Sequence, residues 1–189
     1  LRTMTWLERV GAFLAHRRVQ SMAAEPVEIR EALRAGGKTL VFLPQEPELL
    51  DSGVSICVTL AGWFGPLALC CVSRDDKLPD LSNSGYPAVL FPWAISRMGL
   101  PTRNVREKVK VLAPTIAVDL HPQFNLPTAY LAAESGASLR IGFGDAPSGY
   151  FNLRYACPSF DPANSALHYG RFLRTIENLR ADTFEEPPR

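Results

Sequence analysis

The residues best suited to chemistry in this sequence lie between positions 119 and 125. Asp119, His121 and Asn125 follow the apolar run 115–118, which is Thr-Ile-Ala-Val. Such a run is typical of a buried strand in a parallel sheet, and ligands bind beyond the carboxyl ends of these strands. A carboxylate there can take the proton of a ligand hydroxyl, and a histidine can bind a hydroxyl or a phosphate. The sequence therefore predicts a ligand site at these side chains.

Structural roles are equally compatible with these residue types. Asp119 could tie the following loop to the end of the strand, and His121 could be hydrogen-bonded within its own loop. A second carboxylate candidate, Asp51, lies in Leu-Asp-Ser-Gly at 50–53 early in a predicted helix, where aspartate is also a favoured cap. Arg140, on a predicted strand, is expected to brace the sheet.

Known motifs do not add a second kind of chemistry. The sequence contains no G-x-S-x-G, H-E-x-x-H or G-x-x-x-x-G-K-[ST] pattern. Its three histidines are scattered, and its four cysteines lack metal-ligand spacing. Gly142-Phe143-Gly144 follows a predicted strand but lacks the third glycine of a dinucleotide-binding loop. We therefore expect no metal and no NAD or FAD cofactor.

Apolar runs alternate with helical patterns along the chain. Strands are predicted at 38–43, 66–72, 88–91, 115–120 and 139–143. Helices are predicted at 26–35 with Pro26 in the first turn, about 50–61, 104–112 with Asn104 as cap, 127–135, and 164–180 with Leu167 on its apolar stripe. This alternation predicts a Rossmann-like, doubly wound α/β fold, with a mostly parallel sheet of five to six strands and helices on both faces.

Three parts are expected: a helical extension at 1–37, the Rossmann-like domain at 38–180, and a tail or linker at 181–189. The uncharged stretch 52–73 is long enough to raise a membrane span, but Gly62-Trp63-Phe64-Gly65-Pro66 predicts a turn that divides it. The formal net charge of +1 does not favour nucleic acid as a partner. No secretory signal is evident, so a cytoplasmic location is expected.

The first predicted helix, at 3–20, has two interpretations. Thr5 and Glu8 form a capping box, apolar residues at 6, 7, 10, 13 and 14 share one face, and basic residues occupy the last turn. The helix could pack its apolar face on the domain. Alternatively, it could be a basic amphipathic helix lying on an anionic membrane surface.

With these residues placed, the middle and end of the chain resemble the ADP-heptose:lipopolysaccharide heptosyltransferases, which have two facing Rossmann-like domains in the GT-B arrangement. The resemblance covers about half of the chain and corresponds to the end of the family's amino-terminal, acceptor-side domain. It rests on Val-Asp-Leu-His at 118–121, on 125–133, on 136–143 and on the helix at 167–179. The most telling piece is Arg-Ile-Gly-Phe at 140–143.

The resemblance implies metal-independent, inverting transfer of a sugar from a nucleotide-sugar donor to a lipopolysaccharide-type or other glycan acceptor. Asp51 or Asp119 would be the catalytic base. The substrate-binding candidates are His121, Asn125, Arg154 and Tyr155, the last two from the aromatic loop predicted at 144–162. The expected location is the cytoplasm, and the second interpretation of the helix at 3–20 would place the chain peripherally at the inner membrane.

Two departures from the family pattern keep a second hypothesis open. In the family a glycine–aspartate pair follows the first strand and supplies the base, whereas here that strand ends in Leu43-Pro44 and Asp51 lies several residues further on. The donor-binding second domain would follow residue 189. The chain is therefore expected either to act with a second domain or to be a non-catalytic Rossmann-like module for assembly or self-association.

Overall fold

Six parallel strands form one sheet at the centre of the structure, a computed structural model that describes residues 4–22, 26–144, 146–157 and 159–181. The strands are β1 (Thr39–Phe42), β2 (Leu67–Val72), β3 (Ala88–Phe91), β4 (Ile116–Asp119), β5 (Leu139–Phe143) and β6 (Leu153–Tyr155). Their order is β3-β2-β1-β4-β5-β6, and every adjacent pair is parallel. The predicted doubly wound, Rossmann-like fold is confirmed, with parallel pairing throughout.

Helices cover both faces of the sheet. The α-helices in the described residues are α1 (Trp6–Ser21), α2 (Ile29–Ala35), α3 (Pro47–Phe64), α4 (Arg103–Leu112), α5 (Leu126–Glu134) and α6 (Ser165–Ala181). α2, α3 and α6 pack on one face, and α1, α4 and α5 on the other. None of these helices combines the length and the apolar character that crossing a bilayer requires.

The strand order reverses between β1 and β4, which lie side by side with Phe42 opposite Asp119. Both strands are buried along their whole length, because alternate residues point to opposite faces and each face is covered. Val41 and Val118 pack toward α3 and α6, while Phe42 packs toward α4 and α5. The polar residues that follow these two strands are therefore brought to the same edge of the sheet.

Helix α1 does not pack its large apolar residues on the domain, in contrast to one of the two interpretations of its sequence. The capping box between Thr5 and Glu8 forms as predicted. However, the face that packs on the domain is the one carrying Gly11, Ala15 and Val19. A side chain at Gly11 would overlap the backbone carbonyl of Met98, so this close approach admits small residues only. The large apolar residues consequently point outward.

Several predicted boundaries were wrong, each for a local reason. α2 begins at Ile29 after a non-helical segment that contains Pro26, because the fixed φ of proline suits extended backbone as well as a first turn. α4 follows Thr102, whose N–H bonds the Ala94 carbonyl, and Asn104 lies inside the helix rather than capping it.

The loop predicted at 144–162 contains the edge strand β6, whose three residues are too few to give a recognisable pattern. In α6, Leu167 is exposed rather than part of the apolar stripe, and the stripe is built around Tyr169, Phe172 and Ile176 instead. The predicted tail at 181–189 lies outside the described residues apart from Ala181, the last residue of α6.

Candidate functional site

A cleft of about 650 Å³ opens at the carboxyl ends of β1 and β4. It is lined by residues 46–49 at the start of α3, by residues 121–125 after β4, and by Phe160 and Pro162 before α6. Ligands of open α/β sheets bind where the strand order reverses, which is here. A second cavity of about 620 Å³, beside Arg140, lies near the amino end of β5 and away from this point. The cleft is therefore the candidate site.

The Asp119 carboxylate lies behind the cleft, with its side chain only 3% exposed. Its Oδ1 accepts a hydrogen bond from the backbone N–H of His121 at 3.1 Å and lies 2.6 Å from Nδ1 of the same residue. Its Oδ2 accepts from the hydroxyl of Thr128 at 2.7 Å. Both oxygens thus accept hydrogen bonds within the protein, and Asp119 is not among the residues that line the cleft.

His121 is the group that this carboxylate presents to the cleft. A carboxylate can only accept, so the proton of the neutral ring lies on Nδ1 and the lone pair on Nε2. Nε2 makes no hydrogen bond within the described residues, and the ring lines the cleft with its side chain 13% exposed. The arrangement gives His121 a fixed orientation and one free acceptor nitrogen.

Neighbouring elements hold this pair in place. The N–H of Leu120 bonds the Phe42 carbonyl at 3.0 Å, and its carbonyl accepts from the Tyr169 hydroxyl at 2.6 Å. Burial raises the pKa of Tyr169, so this hydroxyl keeps its proton. Asn125 caps α5, and the first turn of α5 carries Thr128 toward Asp119. Thr128 and Tyr169 were not identified from the sequence, because they join the site only through the packing of α5 and α6.

The ionisable side chains on the opposite wall of the cleft are acidic. Glu46 and Glu48 are exposed at the start of α3 and line the cleft, and no lysine or arginine is among its described lining residues. Carboxylates bind hydroxyl or cationic groups well and repel phosphates. The cleft is therefore suited to a hydroxyl-rich or cationic ligand and not to a nucleotide.

The remaining candidates lie elsewhere. Asp51 is exposed in α3 and is not among the residues that line the cleft, whereas Asn125 is. Arg154 donates to the carbonyl of Ala146 at 2.7 Å on the outer edge of the sheet. Tyr155 packs its ring against Phe143 and Phe172, and burial raises its pKa. The structure thus groups Asp119, His121 and Asn125 and separates the other three from them.

A cavity of about 440 Å³ beside the cleft contains a cysteine–histidine contact. Sγ of Cys157 lies 3.3 Å from Nδ1 of His168, and Nε2 of that ring accepts the N–H of Asp161 at 3.1 Å. Because Nε2 accepts, the ring proton lies on Nδ1, and the ring cannot take the thiol proton in this arrangement. The contact is that of a structural histidine and not of an activated nucleophile.

Comparison with protein-family models finds no match to this chain, and comparison with curated proteins finds no significant similarity. In the described part of the chain, no group of three or more histidine, cysteine or acidic side chains is arranged to hold a metal ion. The geometry of the cleft and the resemblance in the sequence are therefore the two indications of what this chain does.

Proposed function

We propose that this chain is the acceptor-side domain of a heptosyltransferase-like glycosyltransferase, in which the cleft binds the acceptor hydroxyl. The observation that carries the proposal is the buried Asp119 carboxylate that orients His121 and leaves its Nε2 free in the cleft. The position of the cleft at the reversal of strand order and its acidic wall support a hydroxyl-rich ligand. The nucleotide-sugar donor would be bound by a second domain outside residues 1–189.

In this proposal His121 is the catalytic base. Its Nε2 takes the proton of the acceptor hydroxyl as the oxygen attacks the sugar carbon of the donor, and the nucleoside diphosphate leaves. Asp119 is a positioning residue that fixes the tautomer and stabilises the positive ring formed in that step. Glu46 and Glu48 bind other hydroxyls of the acceptor. Asp51 has no role, because it does not line the cleft.

We also propose that the reaction takes place on the cytoplasmic side of a bacterial inner membrane, as the resemblance implies. The acceptor would then be a lipopolysaccharide-type glycan on its lipid anchor. In an assembly of this chain with a donor-binding domain, loss of the base is expected to lower kcat by about a hundredfold to ten-thousandfold.

Calorimetry with a phosphate-free core oligosaccharide of lipopolysaccharide tests the binding part of this proposal. The wild-type chain is expected to bind it, and His121→Ala to weaken binding by about tenfold, the worth of one hydrogen bond to a ligand. Asp51→Asn is the matched control and is expected to bind like the wild type. Equal binding by His121→Ala, or an equal loss in Asp51→Asn, would contradict the placement of the acceptor.

Turnover in an assembly that contains a donor-binding domain tests the chemical part. Asp119→Asn is expected to lower kcat with little change in KM, because an amide can donate to Nδ1 and shift the ring proton to Nε2. Thr128→Val is expected to have a smaller effect, since it removes one of three contacts to the carboxylate. A kcat unchanged by Asp119→Asn would rule out His121 as the base.

The second candidate function is a non-catalytic assembly module. It is favoured by the loop after β1, which lacks the glycine–aspartate pair and places two glutamates at the start of α3, where a phosphate would otherwise bind. Self-association in sedimentation experiments, together with no affinity for the oligosaccharide, would support this function over sugar transfer.

A further inference from the structure

Helix α1 presents its large apolar side chains to solvent. Trp6 is 73% exposed and Phe13 is 64% exposed, and Leu7 and Leu14 are exposed beside them. The two adjacent pairs, at 6–7 and 13–14, are seven residues apart, which places all four side chains on one side of the helix. The opposite, small-residue face packs on the domain, so no rotation of α1 buries both. Contiguous apolar surface of this kind marks an interaction site.

The charges around this surface are mostly basic. α1 and α4 together carry basic residues at 9, 17, 18, 103, 106, 108 and 110, against acidic residues at 8 and 107. Glu8 is paired with Arg74, and Glu107 with Arg103. The whole chain has a formal net charge of +1, so the rest of it carries an excess of acidic residues. Positive charge is thus concentrated on these two helices.

The apolar and basic parts of this surface adjoin each other. Arg18 of α1, Arg106 of α4 and Lys110 of α4 lie 3.7, 3.3 and 3.8 Å from the buried Glu134 of α5. The two helices therefore lie close together where α5 ends. Arg18 follows Leu14 by one turn, so the apolar stripe of α1 borders the basic residues of α4.

We propose that this α1–α4 surface docks on an anionic lipid bilayer, with the axis of α1 in the plane of the headgroups. Aromatic and leucine side chains flanked by arginines are the composition of interfacial helices. The exposed basic residues that pair with no carboxylate in the described structure, Arg9, Arg17 and Lys108, would face the lipid phosphates. Docking against a second copy through the same surface would bring like charges together, which disfavours a dimer. The surface would bind lipid whether or not the cleft transfers sugar.

Vesicle co-sedimentation tests this inference. The wild-type chain is expected to pellet with vesicles of equal parts phosphatidylcholine and phosphatidylglycerol, much less with phosphatidylcholine alone, and less at high salt. The double variant Trp6→Ala/Phe13→Ala and the double variant Arg9→Gln/Arg17→Gln are each expected to lower the partition coefficient by about tenfold or more. Both change exposed residues, and circular dichroism checks that both are folded.

Helix α6, on the other face of the sheet, provides matched controls. Leu167→Ala changes an exposed apolar residue and Arg171→Gln/Arg174→Gln changes two exposed arginines, and both variants are expected to leave vesicle binding unchanged. The inference is overturned if the wild type does not bind, binds both vesicle types equally, or loses no affinity in the α1 variants. It is also overturned if Trp6→Ala/Phe13→Ala dissociates a dimer while vesicle binding is absent, since the surface would then be a self-association interface.

Discussion

The two faces of the sheet are covered by different kinds of packing. On the face of α3 and α6, Phe143 lies among the rings of Tyr155, Tyr169 and Phe172, with centroid distances of 4.7 to 5.6 Å. On the face of α1, α4 and α5, alanines at 129 and 133 pack with Ala15 and Val19 of α1. A buried carboxylate, Glu134, collects three basic side chains there.

This difference shows that the faces derive their stability from different sources. The first face is stabilised mainly by the apolar area it removes from water. The second has an apolar core around Phe42, Phe91 and Val109 and adds a close backbone approach at α1, which only small residues allow, and ion pairs around one carboxylate. A helix that packs through a close backbone approach cannot accommodate large side chains in the contact. The large apolar side chains of α1 therefore point outward.

Truncation of the aromatic cluster on the first face should have the largest effect. Phe143→Ala is expected to lower the free energy of unfolding by about 3–5 kcal/mol, because it leaves a cavity among fully buried rings. Urea denaturation followed by circular dichroism measures this change. A loss below about 1 kcal/mol would show that the rings repack readily and that the contrast between the faces is weaker than described.

A pair of glycine substitutions tests the close approach on the second face. Gly11→Ala is expected to destabilise by about 1–3 kcal/mol, because its Cβ would overlap the carbonyl of Met98. Gly62→Ala in α3 is the matched control, since a Cβ there meets nothing within 4 Å, and it should stabilise by up to about 1 kcal/mol. Hydrogen exchange of α1 amides would locate the effect. Equal changes in the free energy of unfolding for the two variants would contradict the tight docking of α1.

The carboxylate on the second face should matter less than the glycine contact. Glu134→Gln keeps an acceptor for the Tyr130 hydroxyl but removes the charge that pairs with three partly exposed basic residues. We expect a loss of about 1–2 kcal/mol in thermal or urea unfolding, with partial solvent screening taken into account. Glu107→Gln, which breaks an exposed pair within α4, should cost roughly 0.3–0.5 kcal/mol.

The smallest effect is a pH dependence at the start of α1. The backbone N–H of Thr5 donates to the Glu8 carboxylate at 2.8 Å and, with Arg74 beside it, lowers the pKa of Glu8 below its ordinary value of 4.5. This contribution to stability is fully present above pH 4.5 and is lost as the pH falls through the lowered pKa. The free energy of unfolding, measured from pH 6 to pH 3, should decline less steeply in Glu8→Gln than in the wild type. An identical decline would exclude this carboxylate as the source.

Much of the architecture could be predicted from the sequence because its signals are local. The bounds of β3 and β5 match the predicted strands, since β3 is an apolar run between Pro87 and Pro92 and β5 lies between Ser138 and Gly144. The placement of His121 and Asn125 at the cleft followed from the same reasoning about strand ends. The orientation of α1 could not be predicted, because it depends on the contact of Gly11 with Met98, far away in the chain.

The contacts of Asp119 with the following loop agree with one of the two roles left open by the sequence, but its exact partners could not be predicted. Its residue type indicates a possible base, but its two oxygens are occupied by His121 and by Thr128, nine residues further on. The backbone must turn at Leu120 and α5 must pack on β4 before those contacts exist. A carboxylate at a strand end therefore marked the edge of the sheet where the cleft opens, but not the side chain that lines the cleft.

The fixed tautomer of His121 determines which way a proton can move between its ring and the cleft. With its proton held on Nδ1 by Asp119, the neutral ring can receive a proton at Nε2 but has none to give there. A bond broken in this cleft thus gains no acid assistance from the ring, and its departing fragment must be stable as an anion. In the proposed transfer this favours a diphosphate over an alkoxide as the leaving group, and therefore an activated sugar over a simple glycoside as the donor.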